Sequence, residues 1–220
     1  MKIILVSDIF GRTPAVESLV ADLLDTLDHA EDIDIVDPYQ GQFVPFENEL
    51  SAYRYFTDNV GLVTYSNLLE TRLAAQMPVS HAIGEFSSNA LLQQPPEQKK
   101  PLILLIGFSV GASAIWNIAD RFIDAQNQIT AIGYYGSQIR NNLNVAPIFP
   151  IQLIFPQQEQ HFSMAELTEK LSGKMNIDVS KVPYAHGFMN KLSDNYDKAG
   201  YLEQVNKIRH QISTREINIY

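Results

Sequence analysis

The run Leu102-Ile103-Leu104-Leu105-Ile106 passes without a break into Gly107-Phe108-Ser109-Val110-Gly111. Five consecutive aliphatic residues read as a strand covered on both faces, because a strand with one wet face alternates. The residues that follow have helical period: Ala112, Ile115, Trp116, Ala119 and Phe122 form one stripe. A buried strand that becomes a helix within a few residues needs small neighbours at the turn, and the two glycines supply them. Such a junction belongs to a parallel sheet with helices on both faces.

The rest of the chain repeats that alternation. Ile3 to Val6 reads as a buried strand, Asp8 to Arg12 as a loop, and Thr13-Pro14 as an N-cap with a good first helical residue. Val16, Leu19, Val20, Leu23, Leu24 and Leu27 then mark a helix, and Asp32 to Val36 a second strand. Helices are predicted over Glu47–Asp58 and Ser66–Gln76, with a loop at Gln93–Glu97. Strands are predicted at Ile129–Tyr134, Ile151–Phe155 and, more weakly, Val179–Val182. Ala165–Leu171 reads as a helix, and Tyr196–Ile212 as a closing helix with Leu202, Val205, Ile208 and Ile212 on one face. No repeat or linker divides the 220 residues, so one α/β domain over 1–220 is expected, with the segment 39–62 a candidate cap over a site.

Composition narrows the function classes. The formal net charge of −9 argues against general affinity for nucleic acid or an anionic membrane surface. With no cysteine there is no disulfide, thiolate metal site or cysteine nucleophile. The start Met1–Val6 is shorter than a signal-peptide core and is cut by Asp8, and no apolar run approaches 18 residues, so a soluble cytoplasmic protein is expected.

The chemistry follows from the junction. Gly107 to Gly111 is a G-x-S-x-G motif in the strand–turn–helix setting of a nucleophile elbow, with the Ser109 oxygen at a helix N-terminus that favours developing negative charge. A serine needs a base. Of the five histidines, His29 and His210 lie in or near helices, His81 lies in an unclear region and His161 follows a strand. His186 stands in a loop between the last strand and the closing helix, the place where this kind of fold delivers its base. The acid is expected between serine and histidine in the chain. Glu159 is the first carboxylate after the Ile151–Phe155 strand, with Glu166 and Asp178 as rivals.

With these residues placed, the chain resembles the dienelactone hydrolase family of the α/β-hydrolase superfamily. Five blocks in order carry the resemblance: Val6-Ser7-Asp8-Ile9-Phe10-Gly11, Val36-Asp37-Pro38-Tyr39-Gln40-Gly41, the elbow, Leu153-Ile154-Phe155 with Glu159, and His186-Gly187-Phe188. The resemblance implies an α/β-hydrolase fold trimmed at its N-terminal edge, since the chain begins on what looks like the family's third strand. It implies oxyanion donors at the backbone amides of Ile9 and Val110. It also makes Asp8 the counterpart of an acidic residue that poises the nucleophile; the plainer reading of Asp8 is a loop carboxylate capping a backbone amide. The family's founding members carry a cysteine nucleophile and hold a substrate carboxylate with arginines. This chain has Ser109, and Met189-Asn190-Lys191 after the histidine block; Lys191, Arg12 and Arg54 are the cations that a carboxylate clamp would draw on.

The reading is therefore a serine hydrolase for small esters or lactones, working through an acyl-serine and needing neither metal nor organic cofactor. Oligomeric state is left open. Two alternatives are a non-catalytic protein of the same fold that binds or regulates through its pocket, suggested by the altered acid loop Pro156-Gln157-Gln158, and an acyltransferase on the same residues.

Overall fold

In the computed structural model, residues 1–24, 33–77, 103–159 and 161–214 are described. His29, His81, Leu27, the Gln93–Glu97 loop and the first residues of two expected strands, Asp32 and Leu102, lie outside them. Six strands, β1 Lys2–Val6, β2 Ile33–Val36, β3 Ile103–Phe108, β4 Ile129–Tyr134, β5 Ile151–Pro156 and β6 Ile177–Val182, form one sheet in the order β2-β1-β3-β4-β5-β6. Every pairing is parallel. The order reverses between β1 and β3, and the carboxyl ends of strands flanking such a reversal are where open α/β sheets bind ligands.

Helices α1 Pro14–Leu24, α2 Glu49–Asn59, α3 Gly61–Ala74, α4 Val110–Asn117, α5 Met164–Ser172 and α6 Lys198–Thr214 cover the sheet. Alternate residues of each central strand enter different cores. Ile4, Val6, Ile103 and Leu105 pack with α2 to α5, whereas Ile3, Leu5, Leu104 and Ile106 pack with α1 and α6. This two-sided burial explains the unbroken aliphatic run of β3, where each fully buried Leu or Ile stabilises by about 1.5–3 kcal/mol. None of the described helices is long and apolar enough to cross a membrane.

Several boundaries follow local chemistry. Pro14 opens α1 behind Thr13, whose hydroxyl accepts from the Val16 amide. Asn48 and Ser51 form a reciprocal capping box at α2, a start two residues later than Glu47. The expected buried face of α6 needs one correction. Leu202 is half exposed and Tyr201 takes its place, since 201, 205, 208 and 212 keep the four–three–four spacing of one stripe. The short 3₁₀ turns Ile123–Ala125 and Ser137–Asn141 had no periodic signal.

The sheet and α4 meet with backbone against backbone. A Cβ built on Gly111 would lie 2.2 Å from the Val6 carbonyl oxygen and 2.5 Å from that of Ser7. Gly111→Ala is expected to destabilise the protein by about 3 kcal/mol or more, because no side chain can yield there. Gly173→Ala, at an open position, is the control. Denaturant midpoints compare the two, and equal midpoints would contradict this account.

Candidate active site

Ser109 follows β3 at φ 53° and ψ −113°, and Val110 begins α4. Positive φ in a non-glycine residue costs on the order of 1–3 kcal/mol and persists only where surroundings hold it. Here the Ser109 amide donates to Tyr134 O at 2.9 Å, while Ser109 O accepts from the Ser113 amide and hydroxyl at 3.1 Å. The side chain projects from the sheet edge toward the loop after β6.

That loop carries His186. Asn195 Nδ2 donates to the His186 carbonyl at 2.9 Å, and the Asn190 amide donates to Gly187 O at 2.8 Å. Ser109 Oγ lies 3.0 Å from His186 Nε2, and His186 Nδ1 lies 2.8 Å from Glu159 Oε1. An ionised carboxylate only accepts, so Nδ1 carries the proton and Nε2 is left to accept from the serine hydroxyl. The Glu159 side chain is 10% exposed and that of His186 23%. The Tyr135 ring lies 4.8 Å from the imidazole, between it and Phe108 and Phe188. Of the rivals, Glu166 lies in the first turn of α5, where its backbone amide donates to Ser163 Oγ, Asp178 sits on β6 at 3.4 Å from Gln152 Nε2, and His161 is exposed.

The loop after β1 lies beside the elbow. Ile9 is buried, and its carbonyl accepts from the Tyr39 hydroxyl at 2.6 Å. Tyr39 is itself placed by Asp37, which accepts from the Tyr39 amide at 2.9 Å and from the Gly41 amide at 2.9 Å. Gly11 turns the loop at φ +74°, and a Cβ there would meet the Tyr39 ring at 2.6 Å. Tyr65 lies 2.9 Å from Val36 O and 3.0 Å from Ser7 O, its hydroxyl donating between the two strand ends. The aromatic entrance expected over 43–56 is mixed. Phe46 and Tyr55 join Tyr39 and Phe10 above the Ile9 loop, Phe56 is buried against Tyr65, and Phe43 and Tyr53 are exposed.

Asp8 is buried. Its Oδ1 accepts from the Phe10 amide at 3.0 Å and its Oδ2 from Asn190 Nδ2 at 2.6 Å. Burial pushes its carboxyl above the ordinary value of 3.8 despite those bonds; nearby Glu49 adds to the rise, and His186 opposes it. The cations proposed for a clamp are held by partners on α1 instead. Arg12 Nε pairs with Glu17 Oε1 at 2.6 Å, and Lys191 Nζ donates to Ser18 Oγ at 2.6 Å while lying over the Tyr201 ring. Arg54 sits on an exposed face of α2. Sequence reading placed Tyr39 and Asn190 in its motif blocks without a role for either and missed Tyr65 and Tyr135; all four act through contacts that join distant parts of the chain. Among the described residues, no cluster of three or more His, Asp or Glu could hold a metal ion.

The family model of the dienelactone hydrolase family matches residues 67–212. The chain belongs to the dienelactone hydrolase family. The matched region of this dienelactone hydrolase family protein includes Ser109, Glu159 and His186 and begins after the Asp8–Ile9 loop. A Bacillus subtilis (strain 168) protein described only as uncharacterized protein YczH is 31% identical over 116 residues, 51% of this chain. The match spans about half, 55%, of that relative's length. Among solved structures, a dienelactone hydrolase from Anabaena variabilis superposes with TM-score 0.57 at 10% identity, over 96% of this chain and 84% of the other. A cold-adapted esterase from an Arctic intertidal metagenomic library gives 0.54 at 11% identity, over 95% and 82%. Both likenesses show the fold, which is that of the α/β hydrolases.

The Asp8–Asn190 contact carries a pH signature. A buried carboxyl with a raised pKa binds its proton more tightly folded than unfolded. Its contribution to stability is thus greatest below the unfolded value near 3.8 and falls as pH rises through the folded value. Asn190→Ala removes a donor that eases the charged form. The variant is expected to lose about 1–3 kcal/mol at pH 8, and distinctly less at pH 4. Urea unfolding at the two pH values measures this; a loss independent of pH would contradict it.

Proposed function

We propose that this member of the family is a serine hydrolase acting on small esters or lactones through an acyl-serine intermediate. The observation that carries the reading is the unbroken relay from Ser109 Oγ through His186 to Glu159, at 3.0 and 2.8 Å. Ser109 Oγ attacks the substrate carbonyl carbon as its proton passes to His186 Nε2. The tetrahedral adduct collapses to the acyl-serine, and the alcohol leaves with that proton. Water repeats the sequence in reverse order, with His186 as base and then as acid, and frees the carboxylic acid. Glu159 keeps Nδ1 protonated and offsets the positive imidazolium. The backbone amides of Ile9 and Val110 are assigned to the oxyanion; the Tyr39 hydroxyl on the Ile9 carbonyl supports this by fixing the orientation of that loop. The family and the esterase neighbour support hydrolysis.

Charge supports uncharged substrates. Asp8 lies beside the site with Glu49 close enough to act on it, and the stretch after the histidine block, where the family places an arginine, offers Met189, Asn190 and Lys191, with Asn190 already engaged with Asp8. Arg12 and Lys191 are engaged on α1. Recognition of a carboxylate favours a planar, bidentate guanidinium, and none of these contacts supplies one.

Hydrolysis of p-nitrophenyl acetate and of small lactones tests the reading. Ser109→Ala and His186→Ala are expected to lower kcat by on the order of 10⁴-fold, because triad members act as a unit, and His161→Ala should leave it unaltered. Turnover that survives Ser109→Ala would reject the assignment. In a separate measurement, Glu159→Gln should lower kcat by on the order of 10²–10⁴-fold with the thermal midpoint little changed. A Glu166→Gln or Asp178→Asn variant with the larger loss would move the acid elsewhere.

A further inference from the structure

The turn after β1 can be followed group by group, because each backbone amide and carbonyl needs a partner. Asp8 O accepts from the Gly11 amide at 3.1 Å, which closes a four-residue turn from Asp8 to Gly11. Asp8 Oδ1 accepts from the Phe10 amide at 3.0 Å, the bond that an aspartate opening a turn makes two residues on. The Ile9 carbonyl accepts from the Tyr39 hydroxyl at 2.6 Å. Of the amides of Ile9, Phe10 and Gly11, only that of Ile9 meets no acceptor among the described residues, and it is the one assigned to the oxyanion.

The peptide planes on both sides of Ile9 are held. On one side, the planar Asp8–Ile9 peptide fixes the direction of the Ile9 N–H against Asp8 O, which Gly11 holds. On the other, the Ile9–Phe10 peptide is gripped at both ends, by Tyr39 on its carbonyl and by Asp8 Oδ1 on its amide. Turn types I and II differ by a flip of this central peptide, and such a flip would break both bonds. Of the two, only the Tyr39 bond comes from outside the turn. Tyr39 is itself well placed to hold. Its ring lies where a Cβ on Gly11 would come within 2.6 Å, Phe46 and Tyr55 pack on it, and the buried Asp37 fixes its backbone through the Tyr39 and Gly41 amides at 2.9 Å. Burial, with Asp8 next in effect, pushes the Tyr39 phenol above its ordinary value of 10, so the hydroxyl keeps the proton it donates.

We propose that Tyr39 is a positioning residue for the oxyanion: its hydroxyl holds the turn from Asp8 to Gly11 in the conformation that aims the Ile9 amide at the reacting carbonyl. This rests on the hydrolase reading above. Tyr39 acts through the Ile9 peptide and takes no part in proton transfer. Acylation and deacylation both pass through an oxyanion, so a turn that wanders slows the two steps together. The loss then falls on kcat, and KM stays nearly as it was.

The test is Tyr39→Phe, which keeps the ring against Gly11 and removes one bond. Its control is Tyr201→Phe, at another buried tyrosine, whose hydroxyl meets Asp22 across the contact between α6 and α1. With p-nitrophenyl acetate, Tyr39→Phe is expected to lower kcat by roughly 10- to 100-fold, less than the 10²–10³-fold that loss of a whole oxyanion donor costs, with KM within about 3-fold of wild type. Tyr201→Phe should leave both within about 3-fold. Hydrogen exchange followed by NMR reads the turn without any substrate. The Phe10 and Gly11 amides, both bonded to Asp8, should exchange roughly 10-fold or more faster in Tyr39→Phe, and at the wild-type rate in Tyr201→Phe. A kcat for Tyr39→Phe within about 3-fold of wild type, a loss confined to KM, or an equal loss in Tyr201→Phe would overturn the proposal. Unaltered exchange at Phe10 and Gly11 would overturn it too, whether or not any ester is turned over. Faster exchange in Tyr39→Phe, beside a wild-type protein that hydrolyses no ester, would instead reject the hydrolase reading while upholding Tyr39 as the residue that holds the turn.

Discussion

The site depends on a close approach of backbone to backbone. Where α4 leaves the elbow, Gly111 lies so near the carbonyls of Val6 and Ser7 that no side chain fits between them. That contact sets the end of β3 directly against the end of β1, and with it Ser109 against the Asp8–Ile9 loop. The neighbouring interactions hold the same junction. Tyr65 ties the end of β1 to the end of β2, Tyr39 ties Ile9 to the turn after β2, and Ser109 keeps a positive φ under hydrogen bonds to β4 and α4. Strain of on the order of 1–3 kcal/mol at the serine is small beside the aliphatic burial in the strands that enforce it.

Around this junction the protein relies on polar groups withdrawn from water more than on paired charges. Asp8 is buried with an amide and an asparagine as donors, and the Tyr135 hydroxyl is buried beside the Met189 backbone. The described ion pairs other than His186–Glu159 have appreciably exposed members, where such pairs contribute about 0–1 kcal/mol. Asn190 suits this pattern, because the carboxyl it meets is buried and burial pushes that carboxyl's pKa up. A buried aspartate with an asparagine partner near Ser109 selects differently from a cationic pocket, which is why the proposed substrates depart from the carboxylate chemistry that the family resemblance first suggests.

The sequence was most informative where burial is two-sided. An unbroken aliphatic strand ending in G-x-S-x-G leaves one physical solution, and β3, the elbow and α4 lie where that pattern puts them. That His186 and Glu159 come together was legible from chain order, since each follows a strand at the carboxyl end of the sheet and their strands are neighbours. Long flexible side chains were not. Arg12 and Lys191 stand in loops near the site, yet their charged ends reach Glu17 and Ser18, partners that loop position alone does not reveal. Leu202 misled because one apolar residue next to a stripe satisfies a coarse period as well as its neighbour Tyr201 does. Tyr65 and Tyr135 were illegible for another reason: what matters is a hydroxyl or a ring placed across the sheet, and neither leaves a periodic trace.

The central claim is that Ser109 is a nucleophile activated by its relay to His186 and Glu159. A fluorophosphonate probe, with the adduct weighed on the intact protein and located by peptide mass spectrometry, measures this without knowledge of the natural substrate. The account predicts one adduct per chain, on Ser109, absent from Ser109→Ala. An unlabelled wild-type protein, or an adduct that persists when Ser109 is replaced, would contradict it.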